Sequence, residues 1–216
     1  MKQPKTVLAK IREALAAYGK PFLERDLLVR IVAARGSRYT PAQLAQAGVV
    51  TVLKNGVAYF NASVFKTANP FLAGTLYAKD WNPVFGGMVA YNRLGFTTQV
   101  ATWFRVYNTG FSGKKVLLDV PFEFVKVSPK MLYGDVRVAT SEGDFRIMGR
   151  ERAAIEYFRE FGRLPKVLES DDVDFAKLRR LLARYPIRSV ASSIVKALSD
   201  GNPGNVGLMS KSECYL

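Results

Sequence analysis

The 216 residues include no histidine, and the one cysteine is Cys214. Ser-His and Cys-His nucleophile pairs and histidine metal sites are therefore excluded. One thiol closes neither an internal disulfide nor a cysteine cage, which predicts an intracellular protein without metal or cofactor. Carboxylates are the remaining candidates. In "ESDDVDF", Asp172 and Asp174 form a D-x-D pair that could hold magnesium for nucleotidyl transfer if it lay on a strand. No Gly-Ser loop stands upstream and a helical pattern follows, so caps and helix-dipole partners describe these acids better. "GFSGKK", Gly110 to Lys115, lacks the spacing of a phosphate-binding loop and precedes a β pattern, so a β-turn accounts for it. These residues predict no catalytic site.

Binding chemistry is the alternative. The formal net charge is +14. Residues 1–66 hold 11 Lys/Arg against three acids, whereas the remaining 150 residues hold 21 against 15. Basic charge concentrated in one region is the footprint of a polyanion partner. Within it, "SRYTPAQLAQAGVVTVLKNGVAYFN" predicts a short helix with Thr40 as N-cap, Pro41 at the first position, Leu44 as apolar anchor and Gly48 as stop. Val50 and Val52 then pair with Val57 and Tyr59 across Asn55-Gly56, a strong hairpin signal.

If Thr40–Ala47 is a recognition helix, its first turn meets base edges in the major groove of double-stranded DNA. Arg35, Ser37, Arg38 and Tyr39 lead into it, within reach of phosphate or the groove floor. Gln43 and Gln46 face away from Leu44, and glutamine can pair bidentately with adenine. Lys54 and Asn55 occupy the wing tip, positioned for a backbone phosphate, and Lys2, Lys5 and Lys10 add charge. A solvated polar face or a protein-contact surface has the same composition, so both readings stay open at this stage.

The elements that would position these side chains follow from periodicity. "TVLAKIREALAAY" stripes Val7, Leu8, Ile11, Ala14, Leu15 and Tyr18 on one helix face. "KPFLERDLLVRIVAARG" stripes Leu27, Leu28, Ile31 and Val32. With the short helix and the hairpin, three helices precede two strands in the order of a winged helix-turn-helix. Residues 67–82 read as a connecting segment, and Asn82-Pro83 as the start of a helix reaching Leu94. The runs "TWFRVY", "KKVLLDV", "FEFVKVS", "DVRVAT" and "DFRIMG" predict strands, the last two forming a hairpin with Val136, Val138, Phe145 and Ile147 on the core face. Three amphipathic helices close the pattern, and the Gly/Asn-rich residues 201–216 read as a mobile tail.

In "AYNRLGFTTQVATWFRVYNTG", "FEFVKVSPKMLYG" and "VRVATSEGDFRIMGRERAAIEYF" the order and spacing of motifs resemble the AbiEi-type antitoxins of type IV toxin–antitoxin systems. Leu94–Val100 and Val127–Leu132 are the most specific pieces, and residues 5–165 are covered. The resemblance implies a winged helix that binds operator DNA upstream of its own gene and represses the operon. It also implies a second domain that counteracts a nucleotidyltransferase toxin, without requiring a stable complex. The final helices match by pattern only, and the tail has no counterpart.

The expectation is an α+β protein without catalytic activity. A winged helix-turn-helix (1–66) and a connecting segment (67–82) lead to a mixed, mostly antiparallel sheet domain with helices (83–200) and a tail (201–216). No apolar run approaches the ~18 residues of a membrane span, and the N-terminus lacks a signal-peptide core, predicting a cytoplasmic protein. A stand-alone regulator or RNA-binding module without a toxin is the alternative, and an enzyme using the acids near Asp172 the more distant one.

Overall fold

The computed structural model describes residues 6–54, 57–165 and 174–201. Lys2, Lys5, the Asn55-Gly56 turn, Asp172, Cys214 and the tail from residue 202 lie outside the described residues. The fold is α+β. By contact the chain divides into two units. One is Met1–Lys79 with Val116–Val120 and Ala139–Asp144; the other is Asp80–Lys115 with Pro121–Val138 and Phe145–Leu216.

The first unit opens with α1 (Val7–Tyr18), whose N-cap Thr6 accepts from the Ala9 amide at 3.3 Å. Then come β1 (Phe22–Glu24), α2 (Arg25–Ala33), α3 (Pro41–Gln46), β2 (Thr51–Lys54), β3 (Ala58–Phe60) and α4 (Pro70–Tyr77). The strands form a sheet of order β1-β3-β2, with both pairs antiparallel. Ile11 and Leu15 of α1, Leu28 and Val32 of α2, and Leu44 of α3 meet Val50 and Tyr59 in one buried cluster. Asn61 is the buried polar residue of this unit: its side-chain amide donates to the carbonyls of Leu15 at 3.1 Å and Lys20 at 3.4 Å. That ties the end of α1 to the end of the hairpin and pairs the buried Asn61 amide.

Two expectations change here. Phe22–Glu24 form β1, paired with Phe60, Tyr59 and Ala58, where the pattern had begun a helix. Residues 67–82 contain α4, capped by the Asn69 side chain with Pro70 at its first position.

The second unit carries most of a six-stranded sheet of order β6-β7-β5-β4-β9-β8. Its strands are β4 (Val84–Gly86), β5 (Phe104–Asn108), β6 (Gly113–Leu117), β7 (Val120–Lys126), β8 (Asp135–Thr140) and β9 (Gly143–Met148). β4 runs antiparallel to β5 and parallel to β9, and β5 runs parallel to β7, so the sheet is mixed. The helix expected from Asn82 to Leu94 is instead β4 followed by α5 (Met88–Arg93). The glycine pair explains why: a Cβ on Gly86 would come within 2.7 Å of Tyr107 and 2.8 Å of Met148, and Gly87 has φ of 63°. β4 is buried on both faces, as a central strand beside a parallel neighbour must be.

Phe85, Phe122 and Phe124 are fully buried, with Phe104 and Phe145 packed against Phe85 at 6.5 and 6.1 Å. The β8–β9 hairpin forms as expected, with its inner strand buried more deeply than the edge strand, where Val138 is half-buried. Phe145 and Ile147 are buried, whereas Val136, on the edge strand β8, is 43% exposed.

The helices α6 (Arg150–Phe161), α7 (Phe175–Arg184) and α8 (Arg188–Gly201) follow. α6 is buried from Glu151 to Tyr157 and packs on α5, α7 and α8. Two fully buried charges, Arg152 and Glu156, pair directly one turn apart, and Arg159 reaches the other Glu156 oxygen at 2.8 Å. The Arg152 guanidinium lies 4.4 Å over the Tyr133 ring and 5.0 Å over Tyr185. No helix among the described residues is long and apolar enough to cross a membrane.

Candidate nucleic-acid interface

The candidate interface is built on α3 and the turn before it. Leu44 is fully buried, which fixes α3 by one side and leaves Ala42, Gln43 and Gln46 exposed. The helix starts where the capping pattern places it. Thr40 Oγ1 accepts from the Gln43 amide at 3.2 Å, and Gln43 Oε1 accepts from the Thr40 amide at 2.8 Å. This is a full capping box, each side chain satisfying one orphan donor of the helix start.

That geometry separates the two glutamines. A bidentate adenine contact needs both the oxygen and the nitrogen of the side-chain amide. In Gln43 the oxygen is held by the cap, so only its NH2 is left to donate. Gln46, in the last turn of α3, is exposed and makes no side-chain hydrogen bond among the described residues.

The turn from α2 into α3 is ordered by its own hydrogen bonds. The amides of Arg35 and Ser37 both donate to the Val32 carbonyl, at 3.1 and 3.3 Å. Ser37 Oγ accepts from the Tyr39 amide at 3.2 Å, so its hydroxyl shapes the turn. Arg35, Arg38 and Tyr39 are exposed, and neither arginine has an ion pair among the described residues. Lys54 ends β2 and is half-buried; Asn55 lies outside the described residues.

Electrostatically this region is one-sided. Between Leu27 and Lys79 the chain contains no Asp or Glu, while Arg30, Arg35, Arg38, Lys54 and Lys66 fall inside that stretch. Of the acids of residues 1–66, Glu24 pairs with Lys79 at 2.8 Å and Asp26 lies in the first turn of α2. α1 adds a cation that the pattern did not single out: exposed Arg12 donates through Nη2 to the Ala47 carbonyl at 3.3 Å, at the C-terminal end of α3. Its contact joins residues far apart in the chain, and no local motif announces it.

The exposed arginines and amides offer hydrogen-bond donation and positive charge. Among the described residues, Asp174 and the Gly110–Lys115 segment have structural roles. Asp174 is the N-cap of α7, accepting from the Lys177 amide at 2.8 Å. In "GFSGKK", the Asn108 side chain accepts from the amides of Gly110 and Phe111, closing a turn before β6. A Cβ at Gly110 would collide with the Trp81 ring, so this glycine is set by close packing.

No protein-family model matches the chain, and no curated protein matches it. Among solved structures, the crystal structure of the RV2827C protein from Mycobacterium tuberculosis is similar, with a TM-score of 0.63 and 14% identity. The similarity covers 94% of this chain and 79% of that one. At this identity the likeness concerns the α+β fold alone.

Proposed function

We propose that the chain is a DNA-binding autorepressor that also acts as the antitoxin to a nucleotidyltransferase-type toxin. The DNA-binding half is carried by one observation: an acid-free stretch from Leu27 to Lys79 presents the ordered, exposed turn Arg35–Tyr39 directly before α3. Helix, strand, two helices and hairpin follow one another in the order of a winged helix, which supports reading α3 as the recognition helix. Arg35, Arg38 and Lys54 serve phosphate contacts, with Asn55 beside Lys54 in sequence; Thr40 and Ser37 hold the geometry. Gln46 is the stronger base reader, and Gln43 contributes a single donor.

The test is an electrophoretic mobility shift on the DNA upstream of the gene, at two salt concentrations. Wild type is compared with the Arg38→Ala/Gln46→Ala double variant. A specific shift that weakens steeply with salt and disappears in the variant supports the proposal. A folded wild-type protein that gives no specific shift at low salt overturns it.

The antitoxin half is supported by the resemblance of Leu94–Val100 and Val127–Leu132 to the AbiEi-type group. Coexpression with a nucleotidyltransferase encoded beside the gene should restore growth. Failure of rescue alongside intact operator binding leaves a stand-alone regulator.

A further inference from the structure

The second unit holds a polar pocket of about 260 Å³ that the DNA reading does not use, lined by Met88, Thr102, Trp103, Arg105, Lys114 and Glu123. We infer that it binds a nucleotide, with the base stacked on the Trp103 indole and the phosphate held by Lys114. The inference is independent of the winged helix.

The two tryptophans of the chain are placed differently. Trp81 packs edge-on against Phe111 at 4.9 Å and fills the space over Gly110. Trp103 is 38% exposed, and the Lys114 ammonium lies 4.9 Å from its ring centroid. The Lys114 ammonium covers the exposed indole through a weak cation–π contact, so a base that stacks there must displace it. The flexible lysine stem lets the ammonium leave the ring for a phosphate as the base takes its place.

The rest of the pocket offers what a base edge requires. Arg105 donates from Nε to Glu123 at 2.7 Å and from Nη1 to Glu160 at 3.3 Å. The two carboxylates hold the guanidinium, and the stem passes close to Gly87, where a Cβ would come within 3.3 Å of it. Glu123 supplies acceptors, Arg105 donors and Thr102 a hydroxyl. That mixture suits a heterocycle edge better than a bare anion, because Glu123 and Glu160 already neutralise Arg105 and leave Lys114 as the phosphate cation.

The volume lies below the ~300–1,000 Å³ of sites for drug-sized ligands, so one planar ring enters and the sugar-phosphate stays at the rim. Asn92 Nδ2 donates to the carbonyls of Thr97 at 3.4 Å and Gln99 at 3.2 Å, fixing the exposed segment that ends at Trp103. A free nucleotide and an unpaired base of a single strand share this chemistry.

The test titrates the full chain with ATP, GTP, CTP and UTP, and separately with a short oligothymidylate, read by tryptophan fluorescence and equilibrium dialysis. Wild type should show saturable quenching. Trp103→Ala and Lys114→Ala should each weaken dialysis-measured binding about tenfold, the change expected for one lost stacking or phosphate contact. Trp103→Phe, which keeps an aromatic ring, should retain most of it. Saturation by mononucleotides assigns the free ligand, and saturation by the oligonucleotide alone assigns single-stranded nucleic acid. Absence of saturable binding to every probe, or equal binding by wild type and Trp103→Ala, overturns the inference. Duplex operator binding should be the same in all these variants, so the outcome stands apart from that of the winged helix.

Discussion

At the scale of single residues, the cap of α3 sets its two glutamines apart. Thr40 and Gln43 are bonded to each other, whereas Gln46 is exposed and makes no side-chain hydrogen bond among the described residues. Thr40→Ala should therefore lower stability by about 1 kcal/mol in urea unfolding, the usual cost of a lost N-cap. It should weaken operator binding without changing the preferred sequence. Gln46→Ala should leave stability within about 0.5 kcal/mol. If its contact is bidentate, it should relax preference at one base pair by about 1–3 kcal/mol, measured by competition with single-base operator variants. An unchanged preference profile for Gln46→Ala would show that α3 does not read bases through this residue. The competition between cap and reader was legible, because Thr-x-x-Gln is itself the capping-box pattern. Periodicity alone had turned Gln43 outward and hidden it. Arg12 and the Trp103–Lys114 pair were not legible, since their contacts are made by tertiary packing between distant positions.

At the scale of elements, legibility followed length and burial. α1, α6, α7 and α8 each span several turns with one apolar stripe, so the period of 3.6 located them. β1 and β4 have three residues each, too few to show alternation, and β4 is buried on both sides so there was none to show. The β6–β7 connection is a further case. Leu118 and Asp119 both take positive φ, 50° and 64°, in a two-residue turn whose sequence lacks the Asn-Gly signature of that geometry. Asp119 is exposed, so its backbone strain is accessible without disturbing packing. Asp119→Gly should stabilise the protein by about 0.5–1 kcal/mol, seen as a raised urea midpoint with an unchanged m-value. A lower midpoint would mean that the Asp119 side chain contributes more to the turn than its left-handed conformation costs.

At the scale of the whole molecule, the two units are held by different physics. The first has an apolar core with a single buried asparagine network. The second buries an ionic and aromatic cluster: Glu156 pairs with Arg152 and Arg159, accepts from the Tyr185 hydroxyl at 3.3 Å, and shares the site with Tyr133. Removing one partner from such a cluster exposes the cost of the other, so Glu156→Ala should destabilise the second unit by about 3–5 kcal/mol. Its tyrosines add a pH dependence. Burial pushes Tyr185 from 10.0 up to about 12, and the neighbouring Glu156 carboxylate pushes the same way. Tyr91, Tyr107 and Tyr133 are also raised, burial being the largest cause in each. For an acid whose folded pKa lies above its unfolded value, the fold favours the neutral form. The stabilisation is complete below pH 10 and is lost as pH rises through the folded value. Tyr185 alone accounts for on the order of 2 kcal/mol of this. Between about pH 10 and 12 the urea midpoint should fall steadily. The absorbance of tyrosinate should lag behind that of the unfolded chain and then rise together with the loss of helical circular dichroism. Tyr185→Phe removes the ionising group and should shift the loss to higher pH; an unchanged alkaline profile would place the sensitivity in the other three tyrosines.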